Sequence, residues 1–406
     1  MSNDSVLAAV MAGIDKQRVK ALMVALAQVP SPVTELLEAE PQLRAFIDQA
    51  VEPRLRAMGI GDITHDRMGN LAASLGQNSS GRSLLMVTNA MNQAAATMAN
   101  PYAGEIRDGE PYGLSGEVVL GKGLSEQKAP LAAILTALEA LVASNVPITG
   151  RLIFLCCVSG ESGRHDAIRN LLEETGLRAE MALLNGSANR ISLGNRGRLD
   201  VTVTVRGTPC HSSRPDAGCN AVTGAVQVIH RLTEGLRLSA SHPELGVPTW
   251  AVNRIRSFPE STHTIQDRCE ISLDRRLVPG EDPDAALAEI ADLLRPLDGV
   301  ADPASGKPWR VEVTKGPFMY PSLVALDSDL VRAISAASER ALGITPPTYY
   351  ASNAFDQGYL NHIGIPACTY GPGEEEYAHT DLDMASVERT YAAAKVYAVL
   401  AAQRLT

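Results

Sequence analysis

Nothing in these 406 residues approaches the ~20-residue apolar run that a membrane span requires. The start, MSNDSVLAAVMAGIDKQ, has no basic leader and carries acids on both sides of a short apolar patch. It predicts a first helix, not a signal peptide. An excess of positive charge is also missing. The formal net charge is −10, which excludes a nucleic-acid partner, because phosphate binding needs a basic surface. Zinc-finger spacing is absent among the six cysteines Cys156, Cys157, Cys210, Cys219, Cys269 and Cys368, which points to free thiols in a reducing cytoplasm. Cys210 stands beside His211, but neighbours on a strand point to opposite faces, so they make a weak nucleophile pair. What remains is an ordinary globular composition, 45% apolar and 20% charged, long enough for two domains.

Patterning divides the chain. Ser83–Val87, Arg151–Val158 and Met181–Leu184 are apolar strand-like runs, and Ala129–Ala143 is a helix apolar on nearly every side. Their alternation predicts an α/β fold, a mainly parallel sheet with helices on both faces. From residue 198 to 315 the rhythm changes. Leu199–Val205 alternates strictly, a helix covers Asn220–Leu236, and strands follow at Trp250–Ser257 and Cys269–Leu277. A helix at Asp284–Leu297 and a strand at Trp309–Val313 complete β-α-β-β-α-β, a ferredoxin-like α+β unit. The first rhythm returns with a helix at Ser328–Leu342, a strand at Ile365–Tyr370 and a final helix at Ala385–Leu405. Residues 1–197 and 316–406 therefore form one domain, with 198–315 inserted into it.

Chemistry-bearing residues cluster in four places. Glu161 ends the apolar run in Arg151-Leu-Ile-Phe-Leu-Cys-Cys-Val-Ser-Gly-Glu-Ser-Gly, and ligands in open α/β sheets gather at the carboxyl ends of strands. The others are Val205-Arg-Gly-Thr-Pro-Cys-His-Ser-Ser-Arg-Pro, Ile271-Ser-Leu-Asp-Arg-Arg-Leu-Val-Pro-Gly-Glu, and Tyr370-Gly-Pro-Gly-Glu-Glu-Glu-Tyr-Ala-His-Thr. In this order and on this architecture the segments resemble the zinc aminoacylase, deacetylase and exopeptidase family, over residues 20 to 400. The family includes acetylornithine deacetylase, succinyl-diaminopimelate desuccinylase, aminoacylase and glutamate carboxypeptidase. The Asp-Arg-Arg-Leu wording is similar to a dipeptidase or deacetylase branch linked to selenium metabolism.

The resemblance implies a discontinuous catalytic domain with an inserted lid that pairs two chains into a homodimer. It also implies a two-zinc site, and here the sequence departs from the family. The first zinc's positions fall on Glu126 (in GKGLSEQK), Glu161 and His379. At the second zinc the histidine position is Asn89, its aspartate partner is Met91, and the later acid falls at Gly186. The general-base glutamate before Glu161 is Gly160. The expectation is one divalent ion, zinc before others, with the second absent. A Glu₂His set with open positions suits such an ion. Equally open is a residual polar cluster, its charges met by Lys128 and water.

His211 matches the family's lid histidine, which stabilises an oxyanion across the dimer; the alternative is a packed strand-end histidine. Arg276 either captures a substrate carboxylate or forms an ion pair within the lid. Gly371 and Gly373 either present backbone N–H groups to that carboxylate or serve a turn. His263 stands where the family has a substrate-facing asparagine, or is an exposed loop residue. His165 either replaces the base or lies on a helix surface. His65, His230, His242 and His362 have no motif around them. Two functions follow. One is an amidohydrolase-type enzyme acting on a small carboxylate-bearing amide, such as an N-acyl or N-carbamoyl amino acid or a dipeptide. The other is a catalytically silent homologue that binds a small molecule or a partner.

Overall fold

The computed structural model describes residues 3–186 and 188–406; Met1, Ser2 and Ser187 lie outside the described residues, the first two with the opening of the expected first helix. The chain forms two compact units. The first comprises Met1–Gly194, Leu323–Tyr350 and Tyr359–Thr406, and the second Asn195–Ser322 with Ala351–Gly358.

The first unit is built on a six-stranded sheet. In spatial order its strands are Asp62–His65, Leu71–Leu75, Arg151–Cys157, Ser83–Asn89, Met181–Leu184 and Ala367–Thr369. The three pairings among the last four strands are parallel. The first two strands add an antiparallel edge that the patterning did not predict. Their sequences, DITH and LAASL, are too short and mixed for a period to show. The central strands are buried along nearly their whole length, as expected of strands covered on both faces. Ala129–Ala143 buries all but three of its fifteen residues. It packs against the last helix, Val387–Leu405, and both lie on the strand Ser83–Asn89. Ser386 caps that last helix by accepting from the Arg389 N–H. Among the described residues no helix is long and apolar enough to cross a membrane.

The second unit is a four-stranded antiparallel sheet in the order Thr249–Phe258, Arg268–Leu277, Gly197–Arg206, Arg310–Met319. Helices Ala221–Gly235 and Pro283–Leu294 pack on it. This is the β-α-β-β-α-β unit with its first strand central. Strict burial alternation along Arg268–Leu277 places Leu273, Ile271 and Cys269 in a core with Val201, Val203, Val205 and Trp309. The unit extends past the expected limits of 198 and 315, because its last strand does not stop at Val313 but continues to Met319.

Candidate functional site

Three segments of the first unit converge on one cluster. The strand Glu117–Leu120 leads into Gly123, at φ +85°, and then into the π-helical turn Leu124–Lys128 that carries Glu126. Only glycine fits position 123, since a Cβ there would lie 2.6 Å from the Cβ of Asn92. Asp383, buried, accepts from the Gly123 N–H at 2.7 Å, the Ser125 N–H at 3.0 Å and the Ser125 hydroxyl at 2.7 Å. Asn185 donates to the Glu126 carbonyl at 2.9 Å. The turn is thus pinned from two sides.

Glu161 follows the strand Arg151–Cys157, and His379 sits at φ +64°, a left-handed conformation uncommon outside glycine. His379 Nε2 lies 2.9 Å from Glu126 Oε2 and 3.3 Å from Glu161 Oε2. Two donors about 2.1 Å from one ion, at angles of about 90–105°, stand about 3.0–3.3 Å apart, so this spacing suits a single divalent ion. Without one, the hydrogen bonds to Glu126 and then Glu161 raise the His379 pKa to about 10, so the imidazole is charged. Burial, and the charges of Glu161 and Asp383, push the Glu126 carboxyl above its ordinary value against the pull of His379.

The expected role of Lys128 does not hold. Its ammonium donates to the Val29 carbonyl at 2.9 Å and lies over the rings of Tyr102 and Phe46, 5.2 and 5.6 Å from their centres. Burial lowers its pKa to about 7. Glu161 instead accepts from two amides that the sequence reading missed. Gln127 Nε2 reaches Oε1 at 2.6 Å, and Gln93 Nε2 reaches Oε2 at 2.8 Å. Gln127 adjoins Glu126 in sequence, but no motif marks Gln93 or Asp383.

At the positions matched to the family's second zinc and general base the backbone closes in. Asn89 ends its strand with Oδ1 accepting from the Ser159 hydroxyl at 3.4 Å, and the Met91 N–H bonds to the Ser159 carbonyl at 3.1 Å. A Cβ on Gly160 would lie 2.3 Å from the Met91 carbonyl oxygen, and one on Gly186 would lie 2.6 Å from the Tyr370 backbone. Gly371 and Gly373 are buried, and a Cβ on either would lie 2.1 Å from the Tyr397 hydroxyl or the Ser125 carbonyl respectively. His165 is buried at the start of the helix Asp166–Thr175, 5.6 Å from the Tyr359 ring, rather than on a helix surface.

A second metal-competent group, Asp48, Glu52 and His65, lies in the same unit. There Arg56 pairs with Glu52 at 2.5 Å and Arg44 approaches Asp48 at 3.6 Å, both from exposed side chains.

In the second unit, His211 and His263 lie on neighbouring exposed segments, joined by a bridge between His211 and Thr264 and by the Ser212 N–H donating to the His263 carbonyl at 3.0 Å. His211 Nδ1 accepts from the Ser213 N–H at 3.2 Å, which leaves the neutral ring's proton on Nε2, ready to donate. The Cys210 thiol donates to the Arg214 carbonyl. Arg276 forms a forked pair with Asp274 at 2.8 and 3.2 Å. Its cross-strand neighbour Arg198 holds Asp200 at 2.9 Å and reaches Asp274 at 3.3 Å. All six cysteines are free.

Residues 193–301 match the peptidase dimerisation domain. The chain is 24% identical to the uncharacterized protein YgeY of Escherichia coli K12 over 363 residues, 86% of this chain and 87% of that one. It is also 24% identical to the succinyl-diaminopimelate desuccinylase of Rhodospirillum centenum over 349 residues, 80% of this chain and 84% of the relative. In fold it is similar to an M20 family metallo-carboxypeptidase from Sulfolobus solfataricus, with a TM-score of 0.73 at 17% identity, covering 94% of this chain and 97% of that one. Ordered motifs, two-unit architecture and matched domain agree: the chain carries a peptidase dimerisation domain and is similar along most of its length to members of the zinc aminoacylase, deacetylase and exopeptidase family.

Proposed function

We propose that this protein is an amidohydrolase-type enzyme that works with one divalent ion, zinc before others, held by Glu126, Glu161 and His379. The observation that carries the reading is the spacing of the three side chains, whose ligand atoms lie within 4.8 Å of one another. Replacement of every ligand specific to the second zinc, with backbone packed at Gly186, supports a single ion over a pair. The substrate class is a small amide bearing a carboxylate: an N-acyl or N-carbamoyl amino acid, or a dipeptide. A relative named a succinyl-diaminopimelate desuccinylase supports that class.

A bound ion would supply Lewis-acid polarisation of the amide carbonyl. The chain's own residues do the rest. His211, through Nε2–H, donates to the developing oxyanion. Arg276 offers the part of its guanidinium not engaged by Asp274 to the substrate carboxylate. Gly371, Gly373, His263 and Asn89 complete the substrate contacts. Loss of the base at Gly160 removes an effect typically worth ~10²–10⁴ in rate, so proton transfer falls to Glu126 or to the substrate. That replaced base also favours a second reading, a catalytically silent homologue that binds a small molecule or partner.

The domain of 1–197 and 316–406 is catalytic in this reading, and 198–315 is a lid that pairs two chains. The edge strand Thr249–Phe258, where Ile255 is exposed, and the exposed Val222 and Val226 of the helix Ala221–Gly235 support that pairing. Free thiols fit a cytoplasmic location. Screening N-acyl amino acids and dipeptides against wild type and His379→Ala tests the function. Turnover lost in the variant supports the enzyme. Turnover unaltered in the variant removes this site from the chemistry, and no turnover with retained ligand binding selects the silent homologue.

A further inference from the structure

We infer that Gln93 and Gln127 are positioning residues that clamp Glu161 in its metal-binding orientation, an inference that rests on the one-ion reading above. Glu161 lies on the irregular loop between the strand Arg151–Cys157 and the helix Asp166–Thr175, so regular structure does not fix its side chain. Its side chain is nonetheless only 9% exposed. Each of its oxygens receives one amide hydrogen bond, from Gln127 at 2.6 Å and Gln93 at 2.8 Å.

The backbone that carries each amide is itself held. Gln127 is buried in the π-helical turn that Asp383 pins. The backbone carbonyl of Gln93 accepts from Asn92 Nδ2 at 2.7 Å, while Asn92 Oδ1 accepts from the Ser31 hydroxyl at 2.8 Å. Gly123 packs the turn directly against Asn92, so the two clamps share one anchored wall.

Two effects oppose each other. Amide donors share the lone pairs of the carboxylate oxygens with the ion, which by itself weakens the metal bond. They also fix the rotamer that presents Oε2 beside Glu126 and His379. Outer partners of this kind are typically worth ~10–100-fold in affinity, so orientation wins. The neutral amides suit this role, because they hold a carboxylate without bringing a cation to compete with the ion. The Asp48–Glu52–His65 group, with Arg56 on Glu52, shows the opposite arrangement.

Calorimetric titration of the full-length protein with Co²⁺ and Zn²⁺, beside the Co²⁺ absorption spectrum, tests this. The comparison is wild type, Gln127→Met, Gln93→Met and the double variant, each checked for an unchanged melting temperature in the ion-free form. Expected are an affinity lower by about 10-fold in each single variant, by up to ~100-fold in the double, and an altered Co²⁺ spectrum. Gln93, half-buried, keeps the test usable if Gln127→Met fails to fold. Ion binding by wild type with affinity unchanged or raised in the variants overturns the inference alone. No ion binding by wild type overturns the one-ion reading and this inference with it.

Discussion

The carbonyl oxygen of Met91 stands 2.3 Å from the place a Cβ on Gly160 would take, and Gly160 sits at φ +156°. The loop that carries Glu161 is closed against the backbone that follows the strand Ser83–Asn89. Restoring a carboxylate at this position therefore meets backbone, not space. Gly160→Glu is expected to destabilise the protein by roughly 2–4 kcal/mol without raising turnover, although it returns a carboxylate to the general-base position. Urea unfolding and the turnover rate check this together. A stable variant with raised turnover would show that the loop opens at little cost.

Asp383 accepts three hydrogen bonds from the turn that carries Glu126. Asp383→Ala strands those buried donors. The expected loss is about 2–4 kcal/mol in stability, measured by denaturant unfolding. Zn²⁺ affinity should fall with it, because the carboxylate of Glu126 moves with the turn.

Glu374 is buried, accepts from the Ser386 N–H and pairs with Arg389, each at 3.2 Å. Burial raises its pKa from 4.5 to about 7 despite Arg389. The folded state then holds the proton more tightly than the unfolded chain does. Stability from this group falls as pH rises between about 4.5 and 7, and is level beyond. Glu374→Gln should lack that slope, narrowing the difference in stability between pH 5 and pH 8 by on the order of 1–3 kcal/mol. Urea titrations at the two pH values decide it, and parallel profiles would contradict it.

Val226 is 58% exposed on the helix Ala221–Gly235. If that face pairs two chains, Val226→Glu shifts sedimentation from dimer to monomer and changes the monomer's own stability by less than about 0.5 kcal/mol, as expected for an exposed site. A wild type that sediments as a monomer would contradict the pairing.

The sequence made the large elements legible because their signals are long. Ala129–Ala143 is apolar on nearly every side, and Leu199–Val205 alternates without a break. The antiparallel edge strands Asp62–His65 and Leu71–Leu75 carry too few residues for either signal. At the site, Glu126, Glu161 and His379 were legible from motifs around each. Gln93 was not, because a side-chain amide that meets a carboxylate 68 residues away leaves no local pattern. Lys128 misled for a related reason. A lysine two residues from a carboxylate suggests its partner, but on this turn the ammonium points to the Val29 carbonyl.

The proposed function turns on one ion at Glu126, Glu161 and His379. Metal analysis of protein purified without chelator, repeated after soaking in zinc and dialysis, tests it most directly. One equivalent per chain is expected in the wild type and none in His379→Ala. Two equivalents, or none even after soaking, would contradict it.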